Sequence, residues 1–468
     1  MKKVSALAFA FVVAAAAANA ATISGIATSV GADGVVTVTY SLDADAIVTA
    51  DFRENGVSLG GTNQWSLAGD VFRLVSAGTG KITWNAAKDI PDRQLSSVTV
   101  ELKAWAESDA PDYLIADLMY GSTCRIKYYP SEEFIPGGIV AEEAYRMYYL
   151  PMRKMRAKGV SWTMGTASEL GRSTDGRETA HTVVLPANYY IGVFELTHAQ
   201  CAACGISRSG NFNEEYRWRM TPQNRTTWNG FRGSTLPPAE PSSTSPFGKI
   251  RDRTGLLVDF PTEAQWEFAA RGGYSEGTWG DGSSILTQSS KDSNLSNLAS
   301  YKFNVNTMTN TGSFKPNGYG LYDMHGNVGE MCQDWYRTDI TTLNGVCNAN
   351  GEHFVDDDTT TPANGRVVRG GHYGSNPVGC RASYRTAVMP GEYKTEWACR
   401  VMTYANLGEE VEPTSAVSGN AFALDTRRDA PAAATTASAV ELRSEQSVFS
   451  ASFAIDMLKQ IGSLIMFK

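Results

Sequence analysis

The sequence lacks a surplus of basic residues and, after its first twenty residues, lacks any long hydrophobic run. Its 41 lysines and arginines face 49 aspartates and glutamates, a formal net charge of -8 over 468 residues. Nucleic-acid binding needs a basic surface that neutralises phosphates, so we expect no nucleic-acid partner. A membrane-spanning helix needs about 20 apolar residues, so we expect no transmembrane segment in the mature chain.

The sequence also lacks the common motifs of several enzyme classes. It shows no P-loop, no dinucleotide-binding glycine motif and no evident Ser–His–Asp set, which argues against the enzymes that depend on them. Glycine is abundant, with 44 residues, and aromatic residues make up 10%. This composition is typical of a globular, loop-rich protein with a sizeable core.

The first twenty residues have the form of a secretory signal peptide. Lys2 and Lys3 precede an apolar run that ends in the small-x-small sequence Ala18-Asn19-Ala20. The run is short for a membrane anchor and ends at a cleavage signal. We therefore predict a secreted or periplasmic protein in a compartment that permits disulfides.

Seven cysteines are present, and an odd number leaves at least one thiol unpaired within the chain. Four of them lie between residues 332 and 399, which predicts one or two disulfides in that region. Cys201 and Cys204 follow His198 at helical spacing. This set is either a soft metal site or two ordinary helical cysteines.

The chain divides by composition into a regular N-terminal part and an irregular central part. Alternating apolar and polar residues predict a β-sandwich over 21–120, in which Trp65, Trp84 and Trp105 form either core or a sugar-binding platform. The predicted segments that follow are a connector at 121–160, a glycine-rich domain at 161–404, a low-complexity linker at 405–452 and an amphipathic helix at 453–468.

Within the glycine-rich domain the sequence DFPTEAQWEFAARGG (259–273) predicts a helix with clear ends. Pro261 opens it, Gly272 closes it, and Thr262 with Gln265 has the spacing of a capping box. The stretch 181–200, HTVVLPANYYIGVFELTHAQ, predicts a strand, a turn, and a second strand running into a helix.

These segments, with NGYGLYDMHGNVGE, CQDWY, VVRGG and CRASYR in the same order, resemble the formylglycine-generating enzyme family, also called sulfatase-modifying factors. The resemblance covers about half of the chain. It implies an α+β fold, a variant of the C-type lectin-like fold with much irregular structure, here preceded by the all-β sandwich.

The resemblance also implies a structural calcium site in the turn at 323–330. Asp323 and Glu330 would supply carboxylates, and Gly326 and Val328 would supply main-chain carbonyls, the oxygen ligands that calcium prefers. The alternative is that Asp323 caps the turn and Glu330 pairs with an arginine. His325, in the same turn, is expected to be a surface or packing residue, because imidazole is a poor calcium ligand.

Active family members oxidise a substrate cysteine to formylglycine with copper, which two cysteines five positions apart bind just after the RGG motif. Here Ser375 stands about where the first of these cysteines would be, His372 replaces a serine, and Cys380 is the only thiol of the loop. Copper binding is therefore doubtful, and Cys380, His372 and Ser375 are the only candidates for residual catalysis.

Gly329 and Met331 replace two family tryptophans, and PPAEPSSTSPFGKIRDRTG (237–255) replaces the usual segment before the 263–270 helix.

Two functions remain open at this point. In the first, the protein is a non-catalytic or diverged scaffold that binds a peptide, a glycan or a protein partner and contains structural calcium. In the second, it is an active oxidase that converts a cysteine of a target sulfatase to formylglycine. The sequence does not settle whether the chain is an enzyme.

Overall fold

The computed structural model describes residues 21–119, 126–206, 219–234, 239–337, 340, 345–346, 365–405 and 416–425. The predicted signal peptide (1–20), the predicted C-terminal helix (453–468), Cys124 and Cys347 lie outside the described residues. In these ranges no helix is both long enough and apolar enough to cross a membrane.

The described chain consists of twenty-two strands, many of them short, and six short α-helices. The N-terminal elements are β1 (Ile23–Val30), β2 (Val35–Leu42), β3 (Ala46–Glu54), β4 (Val57–Ser58), β5 (Ala68–Gly69), β6 (Arg73–Val75), β7 (Gly78–Asn85), α1 (Ala86–Asp89) and β8 (Gln94–Trp105). The next are β9 (Tyr113–Asp117), β10 (Ile126–Tyr129), α2 (Ala144–Met147), β11 (Tyr149–Met155), β12 (Ser161–Met164), β13 (His181–Val184), β14 (Tyr189–Gly192) and α3 (His198–Ala203). The last are α4 (Trp228–Arg232), α5 (Pro246–Thr254), α6 (Glu263–Ala270), β15 (Gly329–Trp335), β16 (Gly345–Val346), β17 (Arg366–Arg369), β18 (Thr386–Val388), β19 (Trp397–Ala398), β20 (Met402–Tyr404), β21 (Val417–Ser418) and β22 (Phe422–Asp425).

The N-terminal strands form two facing antiparallel sheets, here called the sandwich. One sheet has the order β1-β2-β7-β5, and the other is built on β8 and β3. On β2, Val36, Val38 and Tyr40 are buried, while the residues between them are only half-buried. This alternation is the two-residue period of a strand with one face on a core, as the sequence predicts.

The C-terminal segment corrects one prediction, because part of the expected linker at 405–452 is structured. β21 and β22 pair antiparallel with β8, so the chain returns from the central part to complete a sandwich sheet. Leu424 is 3% exposed and belongs to the same core cluster as Val98 and Val100 of β8. The alternating sequence FALD is too short to be distinguished by composition from the alanine- and serine-rich residues around it.

The predicted end of the sandwich at residue 120 is also wrong. β9 leaves the sandwich and joins a five-stranded sheet of order β10-β9-β11-β14-β20. The expected connector at 121–160 supplies β10 and β11 to this sheet. Pro151 lies within β11, where its carbonyl accepts a hydrogen bond from the Val193 N–H, 2.9 Å. The five-stranded sheet and residues 113–405 around it are called the central region below.

The predicted elements of the central region at 181–200 and 259–273 are confirmed. β13, β14 and α3 follow one another as expected, and α6 begins at the capping box of Thr262 and Gln265. Two further small sheets have the orders β12-β13-β16 and β18-β17-β15-β19. The turn at 323–330 leads directly into β15, so this last sheet positions one end of the candidate site.

The interior of the central region contains ion pairs as well as apolar side chains. Five arginines are among the largest fully buried side chains: Arg232, Arg366, Arg369, Arg381 and Arg400. Arg381 forms a two-point contact with Glu178, with N–O distances of 2.8 and 3.1 Å. Irregular backbone leaves many carbonyls without a strand partner, and guanidinium groups satisfy several of them.

The tryptophans of the sandwich do not form a common platform. Trp84 is completely buried, and its Nε1 donates to Asp89, 3.0 Å; Trp105 donates to Thr49, 2.9 Å. Trp65 is 48% exposed. Two of the three rings therefore belong to the core, as is usual for tryptophan.

Candidate functional site

The turn at 323–330 has an unusual backbone, with positive φ at three positions. Asp323, Gly326 and Asn327 have φ values of 57°, 76° and 53°. A Cβ on Gly326 would lie 2.3 Å from the Ser300 carbonyl oxygen, so only glycine fits there. The Gly326 N–H donates to the Gly370 carbonyl, 2.7 Å, which ties the turn to the RGG motif.

Asp323 is buried at the start of this turn and only partly satisfied. Its Oδ2 accepts a hydrogen bond from the Gly312 N–H, 2.7 Å, whereas its Oδ1 is buried without a partner among the described residues. Burial raises the pKa of Asp323 to about 6. A buried carboxylate oxygen without a donor is costly, so this oxygen is the part of the turn best suited to a cation.

Glu330 is held by an arginine, as the alternative interpretation expected. Its carboxylate accepts hydrogen bonds from Arg400 Nη2, 2.8 Å, and from Trp266 Nε1, 2.7 Å. Arg400 Nε adds contacts of 3.1 and 3.2 Å to the two oxygens. With most of its acceptor positions occupied, Glu330 could bind a metal only by sharing its oxygens with Arg400.

Glu195 is a third carboxylate of this site that the sequence analysis missed. It is completely buried; its Oε2 accepts from Asn327 Nδ2, 2.8 Å, and its Oε1 accepts from the Val328 N–H, 3.3 Å. Burial, followed by the charges of Asp323 and Glu330, raises its pKa. The sequence pattern that could have identified it is an acidic residue between Phe194 and Leu196, in an otherwise apolar segment.

The cluster of Glu195, Asp323 and Glu330 therefore holds more negative than positive charge. Arg400 is the guanidinium that contacts it directly, and Arg146 acts on Asp323 electrostatically. In the described chain no three His, Cys, Asp or Glu side chains are arranged to hold a metal ion. The predicted calcium ligands are two carboxylates and two main-chain carbonyls. Of the carboxylates, Asp323 has an oxygen suited to a cation, whereas Glu330 already shares its oxygens with Arg400.

His325, in the same turn, is a packing residue, as expected. Its Nδ1 lies 2.9 Å from the Cys380 carbonyl, and its Nε2 accepts from the Gly280 N–H, 2.8 Å. Its ring packs edge-on against Trp279. Burial lowers the pKa of His325 to about 4, so the imidazole is neutral and its two nitrogens have fixed roles.

The loop after the RGG motif brings His372 and Ser375 together. The His372 N–H donates to Ser375 Oγ, 3.0 Å, and the Gly374 N–H donates to His372 Nδ1, 3.2 Å. Both side chains are partly exposed. Burial lowers the pKa of His372, so its imidazole is neutral at pH 7.

Cys380 lies on the other side of this loop and faces the interior. It is completely buried in a small apolar cluster with Trp279, Leu295 and Tyr301. Burial raises the pKa of its thiol to about 12. Cu(I) is bound by thiolates, and a neutral thiol in an apolar cluster is a poor ligand and a poor nucleophile. The residues present therefore do not fit copper.

Gly329 and Met331, which replace two family tryptophans, lie in different environments. A Cβ on Gly329 would lie 2.8 Å from a Val368 methyl and 2.9 Å from Trp397 Cδ1, so Trp397 fills the space beside it. Met331 is 1% exposed and belongs to the core. Lys394 Nζ lies 4.3 Å from the centroid of the Trp397 ring. Trp397 therefore packs against Gly329 and carries a lysine on its ring.

The remaining cysteines support neither a metal site nor the predicted disulfides. Cys201 and Cys204 on α3 are buried with raised pKa values, caused by burial, and His198 Nδ1 instead contacts Gln223 Oε1, 2.7 Å. All five cysteines that the structure describes are free thiols, including the three in the region predicted to be bridged. They lie in apolar clusters, where a thiol packs as a small hydrophobic side chain.

Comparison with known proteins supports the resemblance found in the sequence. A family described as the sulfatase-modifying factor enzyme 1-like domain matches residues 150–405. A formylglycine-generating enzyme of Streptomyces coelicolor is 34% identical over 276 residues, covering 50% of this chain and 82% of that protein.

Other relatives match over shorter stretches. A serine/threonine-protein kinase pkn1 of Chlamydia pneumoniae is 34% identical over 142 residues, which cover 30% of this chain and only 20% of the kinase. Among solved structures, Treponema denticola variable protein 1 aligns with a TM-score of 0.42 and 22% identity, over 55% of this chain and 95% of that one.

Proposed function

We propose that this protein binds a peptide or protein partner rather than oxidising one. The chain belongs to the sulfatase-modifying factor enzyme 1-like domain family. The loop of His372 and Ser375 would be the centre of the binding surface. The single observation that carries the proposal is the position of Cys380, the only thiol of this loop, which is completely buried in an apolar cluster.

The surface around this loop has the chemistry of a protein-binding site. Tyr393 is 58% exposed and Met389 is 40% exposed, two large side chains of types that are frequent in interfaces. Glu396 and Lys394 act electrostatically on His372, so charges of both signs lie close by. An extended peptide would find apolar contacts and paired charges here, whereas a glycan would be the second choice.

A structural calcium ion at the 323–330 turn is part of the proposal. Asp323 Oδ1, buried without a hydrogen-bond partner among the described residues, supports it. The residues that would hold the ion are Asp323, the carbonyls of Gly326 and Val328, and Glu330, which would divide its carboxylate between the ion and Arg400. Calcium would neutralise the surplus negative charge that Glu195 adds to the cluster.

Copper titration separates the binding function from the oxidase. We expect the purified protein to bind no stoichiometric Cu(I), and Cys380→Ser to behave like the wild type. Tight 1:1 binding that Cys380→Ser abolishes would support the alternative, an oxidase with His372 and Cys380 as metal ligands. Cys204→Ser, which removes another buried thiol, is the matched control.

Chelation tests the calcium proposal. We expect EGTA to lower the melting temperature of the wild type, and to have no further effect on Asp323→Asn. Asp323→Asn is a sharper probe than a change at Glu330, because removing Glu330 also strands Arg400. A wild type indifferent to EGTA would contradict the structural ion.

Export is the third part of the proposal, based on the charged and apolar N-terminal sequence. We propose a secreted or periplasmic protein. N-terminal sequencing of the protein from culture fractions should give Ala21 as the first residue; an uncleaved Met1 would contradict export.

A further inference from the structure

A second concave site, lined by none of the residues of the His372 loop, lies beside the segment that replaces the usual family sequence. It is a pocket of about 390 Å³ between the residues that precede α4 and those that precede α5. This volume is within the range of about 300–1,000 Å³ typical of small-molecule sites. The described lining residues are Ile206, Gln223, Thr226, Asn229, Gly230, Gly233, Thr244, Ser245 and Pro246.

The pocket wall depends on the segment at 237–255 that replaces the usual family sequence. Thr244, Ser245 and Pro246 come from this segment, and Ser245 caps α5 by accepting from the Gly248 N–H, 3.2 Å. The Ser245 hydroxyl also donates to the Ser242 carbonyl, 2.7 Å. Residues 244–246 of the replaced segment therefore form one wall of the pocket.

The opposite wall contains the side-chain amide of Gln223, which two neighbouring side chains hold in place. Gln223 Oε1 lies 2.7 Å from His198 Nδ1, and Gln223 Nε2 donates to Thr226 Oγ1, 3.2 Å. The Gln223 amide is therefore held at both ends, by His198 and by Thr226. Gln223 and Thr226 thus present a preorganised amide–hydroxyl pair at the pocket.

Asn229 supplies a second amide that is open to a ligand. Its backbone is fixed, since its N–H donates to the Pro390 carbonyl, 3.0 Å, but its side-chain amide makes no hydrogen bond to another described residue. An amide offers both donors and acceptors, and the hydroxyls of Thr226 and Thr244 do the same.

The chemistry of the lining defines the ligand class. None of the described lining residues is charged, so these residues offer no counter-ion to an anionic or cationic ligand. Amides and hydroxyls that both donate and accept match a ligand covered with hydroxyl groups, while Ile206 and Pro246 provide apolar surface for the C–H face of a ring. We propose that this pocket binds a neutral pyranose unit, either a free monosaccharide or the terminal sugar of a glycan.

This inference is independent of the proposed peptide-binding function, because it concerns other residues and a ligand of another class. Saturation-transfer NMR on the mature full-length protein, with D-glucose, D-galactose, D-mannose and N-acetyl-D-glucosamine as probes, tests it. We expect at least one of them to bind saturably with a dissociation constant on the order of 1 mM, as befits so small a ligand. Glucuronate should bind at least tenfold more weakly than glucose.

Variants locate the binding. Asn229→Ala removes the open amide. Thr244→Leu fills the pocket from an exposed loop position, where a substitution is least harmful to folding. Each variant should raise the dissociation constant for the sugar at least tenfold. Gln288→Ala, an exposed amide outside the pocket, should leave binding unchanged. The inference is overturned if none of the four sugars binds, if glucuronate binds as well as glucose, or if binding survives both pocket variants.

Discussion

The sandwich and the central region bury their interiors with different chemistry. In the sandwich, β2, β7 and β8 bury alternate apolar side chains. Its arginines stay at the surface, with side chains 30% exposed at Arg53, 39% at Arg73 and 49% at Arg93. In the central region, five arginines are fully buried and bonded to carboxylates or carbonyls. Regular ladders satisfy their own backbone groups, whereas irregular chain needs side chains to do so.

The difference suggests that the two regions respond differently to substitution. An apolar interior loses free energy in proportion to the atoms removed and the cavity left behind. An ionic interior responds more sharply, because removing one partner leaves an uncompensated buried charge. Three substitutions, in order of decreasing expected effect, test this contrast.

Arg381→Met should give the largest effect. It removes the guanidinium that contacts Glu178, and one of the two that lie near Glu169, in a region where Arg381 itself is fully buried. We expect a loss of about 3–5 kcal/mol in the free energy of unfolding, measured by urea denaturation. Arg53→Met in the sandwich removes a partly exposed pair and should cost less than about 1 kcal/mol. Equal losses at the two positions would contradict the contrast.

Leu424→Ala should have an intermediate effect and reports whether the C-terminal strand is part of the sandwich. Leu424 is 3% exposed in the sandwich core, and truncating a buried leucine costs about 2 kcal/mol at the low end of the usual range. Hydrogen exchange should show weaker protection of β8 in the variant. Ala423→Ser, on the exposed face of β22, is the control, and an unchanged β8 would place the strand outside the core.

Ile82→Val should have the smallest effect. Ile82 is completely buried on β7, and the lost methylene should cost about 1 kcal/mol. The same urea measurement gives the value. A loss as large as that of Arg381→Met would mean that the sandwich is no more tolerant than the central region.

Much of the fold followed from local sequence patterns. The alternation in β2 and the capping box of α6 depend on neighbours along the chain, so the sequence alone predicted them correctly. The errors came from long-range pairing. The assignment of β9 to the central sheet and of β22 to β8 depends on which strand edge is available in space, and no local pattern records that.

The sequence predicted which residue types form the candidate site, but not which distant side chains contact them. The motif placed Asp323 and Glu330 on one turn, but Arg400, seventy residues further along, decides how Glu330 is used. Glu195 joins the same cluster from more than one hundred and thirty residues away. Such partnerships depend on chain packing, so spacing alone could not identify them.

The sequence by itself determined the family, the order of its motifs and the presence of a single cysteine in the loop after the RGG motif, because these properties lie in residue identity and short-range spacing. Only the tertiary structure decided that Cys380 is a buried neutral thiol, that Arg400 holds Glu330, and that residues 244–246 of the replaced segment line a pocket. Burial sets the charge state of a thiol or carboxyl, and burial results from packing among residues that are distant in the chain.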